Sequence, residues 1–319
     1  MTISLPRPLP AGAEHPITEL NASQAIMRAL AYSDIFDQAQ SITTLYAFLE
    51  APDVTPEVFR QTLEASQTAG ITSLDGDLVT LAGREALVSI WRRRQAQSAR
   101  KWRSARRYTA LIRCLPFVRM VAITGSLAVQ NTEAPDDIDL FLIAAPGRVW
   151  LTRALTILVV RLAALSGVTL CPNYLIASDA LELHERNLYT ARELTQMQPL
   201  YGLHWHRQLH ASNRWTRAYL PNAMNNSSPG ALPLDHLPAP ARLLKALGEQ
   251  LLGRQLGAAL ERWEMRRKVR KLLQKHPAGA SEEASFSPAI CKGHFNGHAA
   301  RILGRFSERV KQLTQLEEG

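Results

Sequence analysis

The sequence predicts an α+β chain, and three observations predict it. Apolar residues recur at helical spacing up to residue 66, and two short alternating runs around Asp75-Gly76 follow at once. Three β-rich apolar runs, 118–124, 137–143 and 168–177, come next, with a helical pattern at 149–165 between the last two. Beyond a proline-bearing stretch, helical periodicity resumes from 241.

Composition bounds what such a chain does. With 319 residues, 46% of them hydrophobic and 20% charged, it has room for two or three compact units, which excludes disordered, collagen-like and disulfide-stapled chains. Lys and Arg number 37 against 28 Asp and Glu, so the net charge of +9 favours phosphate-bearing partners without specifying any. Cys114, Cys171 and Cys291 are far apart and odd in number, as in a reducing compartment. The segment 1–22 carries Pro6, Pro8, Pro10 and Pro16 and lacks the apolar core of a signal peptide, so it reads as a flexible lead-in to a cytoplasmic protein. The most apolar stretch, 154–170, is short for a bilayer and has Arg161 inside it; it reads as a buried helix, and no membrane partner is expected.

Residues 23–83 form the first unit. Helical runs at 23–32, 43–49 and 56–66, the last behind Thr55 as N-cap, precede strands at 71–74 and 77–81 joined through Asp75-Gly76. Three helices and a hairpin spell a winged helix. Its third helix holds Glu57, Arg60 and Glu64 and is not basic, so a packing or protein-contact role fits better than groove recognition. A basic connecting helix, 84–116, carries Arg92, Arg93, Arg94, Arg100, Lys101, Arg103, Arg106 and Arg107 with no acid among them, interleaved with Trp91, Trp102 and Tyr108. Such a run either meets an anion, nucleic acid above all, or is a solvated face.

Chemistry is concentrated in 117–220. In a strand, alternate side chains share a face, so Asp137 and Asp139 project together with Cα atoms about 6.5 to 7 Å apart while Ile138, Leu140 and Leu142 turn inward. Two adjacent carboxylates repel, and a hard divalent cation between them relieves the repulsion while keeping sites for phosphate oxygens. Ten residues upstream of the pair, Gly125-Ser126 ends the preceding strand with a close backbone approach and a hydroxyl. Helices follow at 190–197 and 203–220, then a Pro-rich linker at 221–240. The C-terminal helical region, 241–319, holds the basic run Arg266, Arg267, Lys268, Arg270, Lys271 and a last helix at 299–316.

The hydrophobic run, Gly125-Ser126, the ten-residue gap and Asp137-Ile138-Asp139 together resemble the polymerase-β-like nucleotidyltransferase superfamily. Similarity extends to Tyr32-Ser33-Asp34-Ile35-Phe36, Gly147-Arg148-Val149-Trp150-Leu151-Thr152-Arg153, Cys171-Pro172-Asn173-Tyr174 and Asn187-Leu188-Tyr189-Thr190-Ala191-Arg192-Glu193. These look like bacterial proteins that join a winged helix to a nucleotidyltransferase domain. The resemblance implies a core of small mixed sheet and helices, with Asp137 and Asp139 holding Mg²⁺, or Mn²⁺ in its place, on a nucleoside triphosphate. Gly125 and Ser126 would grip terminal phosphates, Arg148 and Arg153 would screen the triphosphate, and pyrophosphate would leave as an acceptor oxygen attacks. Active members carry a third carboxylate on the later strand; here Asn173 stands in that strand, with Asp179 beyond it and Asp136 before the pair. The alternative is therefore a catalytically silent module that binds nucleotide or nucleic acid.

Other signals rank lower. Cys291, His294 and His298, and His204, His206 and His210, lack the paired spacing of structural zinc sites and read as ordinary core or surface residues. Gly125-Ser126-Leu127-Ala128 is not the nucleophile elbow of a hydrolase.

Overall fold

Helix α1 (Ala22–Asp34) starts on a capping box, with Asn21 Oδ1 accepting from the Gln24 amide at 2.9 Å and Gln24 Oε1 from the Asn21 amide at 3.2 Å. The structure is a computed structural model that describes residues 20–51, 53–223, 233–275, 286–293 and 298–318. Of the expected lead-in, 1–19 lies outside the described residues, as does 224–232 of the expected linker. After α1 come β1 (Gln40–Ser41), α2 (Ile42–Ala47), α3 (Pro56–Thr68), β2 (Thr72–Asp75) and β3 (Leu78–Leu81). Thr55 caps α3 as its sequence predicts, accepting from the Val58 amide at 3.3 Å, and Gly76 takes the positive φ of +67° that the hairpin turn requires. The three strands pair antiparallel in the order β1-β3-β2, and Ile26, Leu30, Leu45, Phe59, Leu63 and Val79 form the core between them and the helices.

Helix α4 (Ala86–Ile112) runs 27 residues, about 40 Å, and joins this unit to the next. Leu87 and Val88 pack on Ala39 and Leu78 at one end; Trp102, Tyr108 and Ile112 enter the second core at the other. The second unit is built on β4 (Val118–Ile123), α5 (Gly125–Ala128), β5 (Ile138–Ala144), α6 (Val149–Ala164), β6 (Leu170–Ala177), α7 (Leu188–Gln196), β7 (Gln198–Tyr201), α8 (Leu203–Ser212) and α9 (Thr216–Tyr219). Helices α10 (Ala239–Leu252) and α11 (Gln255–Lys275), strand β8 (Ile290–Lys292) and helix α12 (His298–Glu318) complete the described chain. The mixed sheet has the order β7-β4-β5-β6-β8, with β5 and β6 parallel and the other pairs antiparallel.

Alternation along the strands divides the core in two. Val121, Ile123, Ile138, Leu140 and Leu142 pack with Trp150 and Val159 of α6, while Met120, Ala122, Phe141 and Ile143 pack with Leu194 of α7 and Leu209 of α8. Each of these buried aliphatic side chains contributes roughly 1.5 to 3 kcal/mol. Asp139 shares the pleat of Phe141 and so opens on the α7 side.

Several elements differ from the sequence reading. Strand β7 lies in the gap between the helices expected at 190–197 and 203–220, where no strand was expected; its Pro199 lacks an N–H and is tolerated because β7 is an edge strand. The helix expected over 203–220 is broken at Asn213, whose side chain instead ties Leu183 N, Leu181 O and Leu209 O together. The region after 240 is not wholly helical: β8 adds an edge to β6, and α12 returns Ile302, Leu303 and Phe306 to Tyr32, Phe48 and Leu188. The stretch 154–170 is not buried all round. It divides between α6 and the start of β6, and because no described element covers the outer face of α6, Leu158 and Leu162 stay exposed. No helix of the described residues is long and apolar enough to cross a membrane.

Candidate metal centre

Strand β4 delivers Thr124, whose amide donates to the Asp139 carbonyl at 3.1 Å, and the chain then turns through Gly125 at φ +64°. Glycine is required there twice over. The left-handed backbone disfavours any Cβ, and a Cβ built at 125 would lie 2.4 Å from Asp139 Oδ2. The bend therefore presses against the carboxylate that the sequence singled out. Ser126 Oγ donates to Asp136 Oδ2 at 3.1 Å, and the same oxygen accepts from the Glu133 amide at 2.8 Å, which closes the loop just before the pair.

Asp137, Asp139 and Cys171 offer one ligand atom each within 4.8 Å of one another, and Asp139 and Cys171 are cross-strand partners. Burial first, then the charges of Asp137, Glu193 and Asp136, push the Asp139 carboxyl from its ordinary 3.8 up to about 8. Burial and the same two carboxylates push the Cys171 thiol up to about 12, so it stands as a neutral neighbour of an oxygen pair. Two half-buried carboxylates with excess negative charge fit a hard divalent ion such as Mg²⁺ or Mn²⁺. The cation supplied by the protein is Lys101 of α4, which reaches the Asp136 backbone carbonyl rather than a carboxylate oxygen.

Strand β6 slips register between Pro172 and Tyr174, so Asn173 is the extra residue of a bulge and turns to Asp139, donating from Nδ2 to Oδ1 at 3.0 Å. It thus stands beside the pair as an amide and adds no carboxylate to it. Asp179 does not stand there, because it follows the far end of β6. Sequence reasoning missed Glu193. On α7, Thr190, Glu193 and Met197 share a face, and all three line a pocket with Thr124 and Asn173 beside the pair. Burial pushes the Glu193 carboxyl up to about 7, with Lys292 opposing. The string Asn187 to Glu193 carried that signal, and Asn187 caps α7 by accepting from the Thr190 amide at 2.8 Å.

Arg148 is not brought to the pair, whereas the charge of Arg153 reaches the Cys171 thiol beside the pair and opposes its rise. Strand β5 carries the chain away from Asp137, so the start of α6 lies roughly 20 Å off at ~3.3 Å per strand residue. That helix end is already filled: Glu261 of α11 accepts from the Trp150 and Leu151 amides at 2.9 and 2.6 Å. Arg148 donates to the Gly253 carbonyl at 2.7 Å and stacks 5.4 Å from the Phe117 centroid, and Arg153 lies 3.9 Å from Glu264. In the basic run, Arg92 pairs with Asp75 and Arg94 with Glu133, while Arg93, Arg100, Arg103 and Arg107 are exposed along one side of α4.

The described histidines join no group of three metal-ligating side chains. His206 and His210 face each other, Nε2 to Nε2 at 3.1 Å, with burial depressing both, and His204 points away to solvent. Cys291 is buried in β8, His298 packs edge-on to Tyr189, and His294 lies outside the described residues. Among the described residues, Asp137, Asp139 and Cys171 form the one group of three such ligands.

Gly125→Ala is expected to weaken Mn²⁺ binding about 10- to 100-fold, because the new methyl displaces Asp139, and to destabilise the fold by about 1 to 2 kcal/mol. Calorimetric titration with Mn²⁺ reads the first effect and chemical denaturation the second. An unchanged Mn²⁺ affinity would separate Asp139 from the ion. Compared with known proteins, the chain matches no family model, and no curated protein or solved structure matches it.

Proposed function

We propose that the chain is a Mg²⁺-dependent nucleotidyltransferase with a polymerase-β-like core and an N-terminal winged helix. It would move a nucleoside monophosphate from an NTP to an acceptor. One observation carries the reading: the Asp137 and Asp139 oxygens converge within 4.8 Å directly against the Gly125 bend. The helix order and hairpin of residues 22–81 and the antiparallel-parallel run β4-β5-β6 support the fold assignment.

Asp137 and Asp139 would hold the metal, which when bound supplies charge neutralisation to the triphosphate and polarises the α-phosphoryl group. Gly125, lacking a Cβ, lets the backbone bend sit directly against Asp139, and Ser126 would offer its hydroxyl to phosphate once it turns from Asp136. Asn173 orients Asp139 by donating to Oδ1. In the transfer, an acceptor hydroxyl would form a bond from its oxygen to the α-phosphorus and lose its proton to water, the bond to the bridging oxygen of the β-phosphate would break, and pyrophosphate would leave. Arg148 takes no part, being engaged on the Gly253 carbonyl, while Arg153, 3.9 Å from Glu264, keeps its charge within reach of Cys171 beside the pair. The exposed arginines of α4 give nucleic acid a contact stripe on the same helix that sends Lys101 to Asp136. Free cysteines agree with a cytoplasmic setting.

The silent-module reading has an observation of its own, since the residue beside the pair is an amide, which takes no proton from an acceptor. Incubation with α-labelled NTPs, Mg²⁺ or Mn²⁺ and a cell extract decides between them. Label transfer is expected, and Asp137→Asn is expected to reduce it about a thousandfold, the several kcal/mol that metal assistance supplies. Tight nucleotide binding without transfer would favour the silent module.

A further inference from the structure

One side of α4 clamps the loop that leads into the Asp pair. Arg94 donates to Asn131 Oδ1 at 3.1 Å and pairs with Glu133, Gln95 Nε2 donates to Gln130 Oε1 at 3.3 Å, and Ser98 Oγ accepts from the Thr132 amide at 3.4 Å. Lys101 follows at helical spacing on the same side. There the half-buried ammonium donates to the Asp136 carbonyl. Burial lowers its pKa, and the charges of Asp136 and Asp137 oppose that fall. Asp136 also holds Ser126, whose Oγ donates to Oδ2 at 3.1 Å. An ammonium and a hydroxyl, both donors that phosphate oxygens accept from, thus converge on the residue just before the pair.

A triphosphate at this site needs such a cation. A divalent ion between Asp137 and Asp139 has its own charge matched by those carboxylates, so the phosphate charge lacks a counterpart in a site that also holds Asp136 and Glu193. The other cations in question are committed. Arg94, its side chain 12% exposed, donates to the Phe36 and Asp37 carbonyls besides pairing with Glu133, Arg148 is on the Gly253 carbonyl, and Arg153 lies 3.9 Å from Glu264. Lys101 has three donors, and among the described residues its one hydrogen bond goes to a neutral carbonyl, so exchanging it breaks no ion pair. We propose that Lys101 is the cation that grips the terminal phosphates of a metal-bound polyphosphate, moving with Ser126 from Asp136 to the phosphate oxygens. The inference rests on the nucleotidyltransferase reading and gives Lys101 the screening role that the sequence suggested for Arg148 and Arg153.

Inorganic tripolyphosphate, titrated calorimetrically into the full chain as its preformed Mn²⁺ complex, tests the assignment without any transfer, and Mn²⁺ alone serves as the control. Lys101→Gln is expected to weaken the complex about 10- to 100-fold and to leave Mn²⁺ affinity within about threefold of wild type. Lys101→Arg, which keeps the charge, is expected to restore part of the loss, and Arg153→Gln to leave the complex bound as in wild type. Equal affinity for the complex in wild type and Lys101→Gln overturns the proposal, as does weakening by Arg153→Gln in its place. Loss of Mn²⁺ together with the complex in Lys101→Gln would reduce Lys101 to a clamp on the loop and overturn it too. So would a wild type that binds Mn²⁺ without the complex, or neither. Label transfer that survives Lys101→Gln with unchanged KM for the NTP counts against Lys101 alone, whereas Lys101-dependent binding of the complex without label transfer counts against the transferase alone.

Discussion

Asp139→Asn is expected to abolish tight divalent-metal binding and, in chelator at pH 8, to make the metal-free protein more stable than the wild type. The two effects share a cause. Burial, with Asp137, Glu193 and Asp136 nearby, raises the Asp139 carboxyl from 3.8 to about 8, so the folded chain holds a proton there that the unfolded chain has already lost. Between those two values the native state binds more protons, and stability falls as pH rises through that window; below it the group contributes nothing, and above it the full penalty applies. Asparagine removes the slope and keeps the contact to Asn173 as an amide pair. Each pH step of the interval is worth ~1.4 kcal/mol by linkage, and relaxation with water entry reduces the whole to about 2 kcal/mol of gain. Denaturant titrations at pH 5 and pH 8 measure it. Wild type loses stability between the two, Asp139→Asn loses less, and a residual slope belongs to Glu193, raised to about 7. Mg²⁺ at about a hundred times its dissociation constant would stabilise wild type by ~2.7 kcal/mol and leave the variant unmoved. Equal stabilisation of both proteins by Mg²⁺ would show that the ion is held elsewhere.

What the sequence disclosed and what it concealed divide along a physical line. Local signals were legible: Thr55 before α3, Asp75-Gly76 between β2 and β3, and two acids at strand spacing after a glycine bend each depend on backbone geometry within a few residues. Contacts between distant segments were not. Glu193 reaches the pair only because α7 packs on the Phe141 face of the sheet, and no periodicity in 188–196 reports which strand lies beneath. Arg148 lies away from the pair because seven strand residues carry the chain to the far end of the central strand β5, where Glu261 already occupies the helix start, whereas the Arg153 charge still reaches Cys171. The basic run on α4 was legible as charge, but its partners Asp75, Glu133 and the Asp136 carbonyl come from three other segments. The quoted strings outside the pair acquire roles in the fold: Asn173 steers Asp139, Asp34 receives Arg84 at 2.6 Å and Arg309 at 2.8 Å, and Arg192 ties α7 to the first unit.

Arg192→Ala is expected to destabilise the protein by about 3 to 5 kcal/mol, while Arg192→Met is expected to match or exceed wild-type stability. Arg192 is 1% exposed, with its guanidinium carbon 4.0 Å from the Tyr32 ring centroid and 5.1 Å from that of Phe48. Its polar partners are poor: one long hydrogen bond of 3.4 Å to the Phe48 carbonyl, and an Nε with none. Burial accordingly pulls its pKa down, opposed by Tyr32 and Glu50. Glu50 keeps its pairing with Arg28 at 2.8 Å through Oε2 when the Arg192 charge is removed, and its Oε1 is buried without a hydrogen bond in the wild type already. The stabilisation therefore comes from volume and aromatic stacking between α1, α2 and α7, which methionine supplies and alanine does not. Urea titrations of the three proteins read the difference, and a methionine variant as unstable as the alanine one would return the weight to the charge. Because Arg192 precedes Glu193 on α7, the cavity left by alanine loosens the wall of the pocket beside the Asp pair, whereas methionine keeps that wall in place.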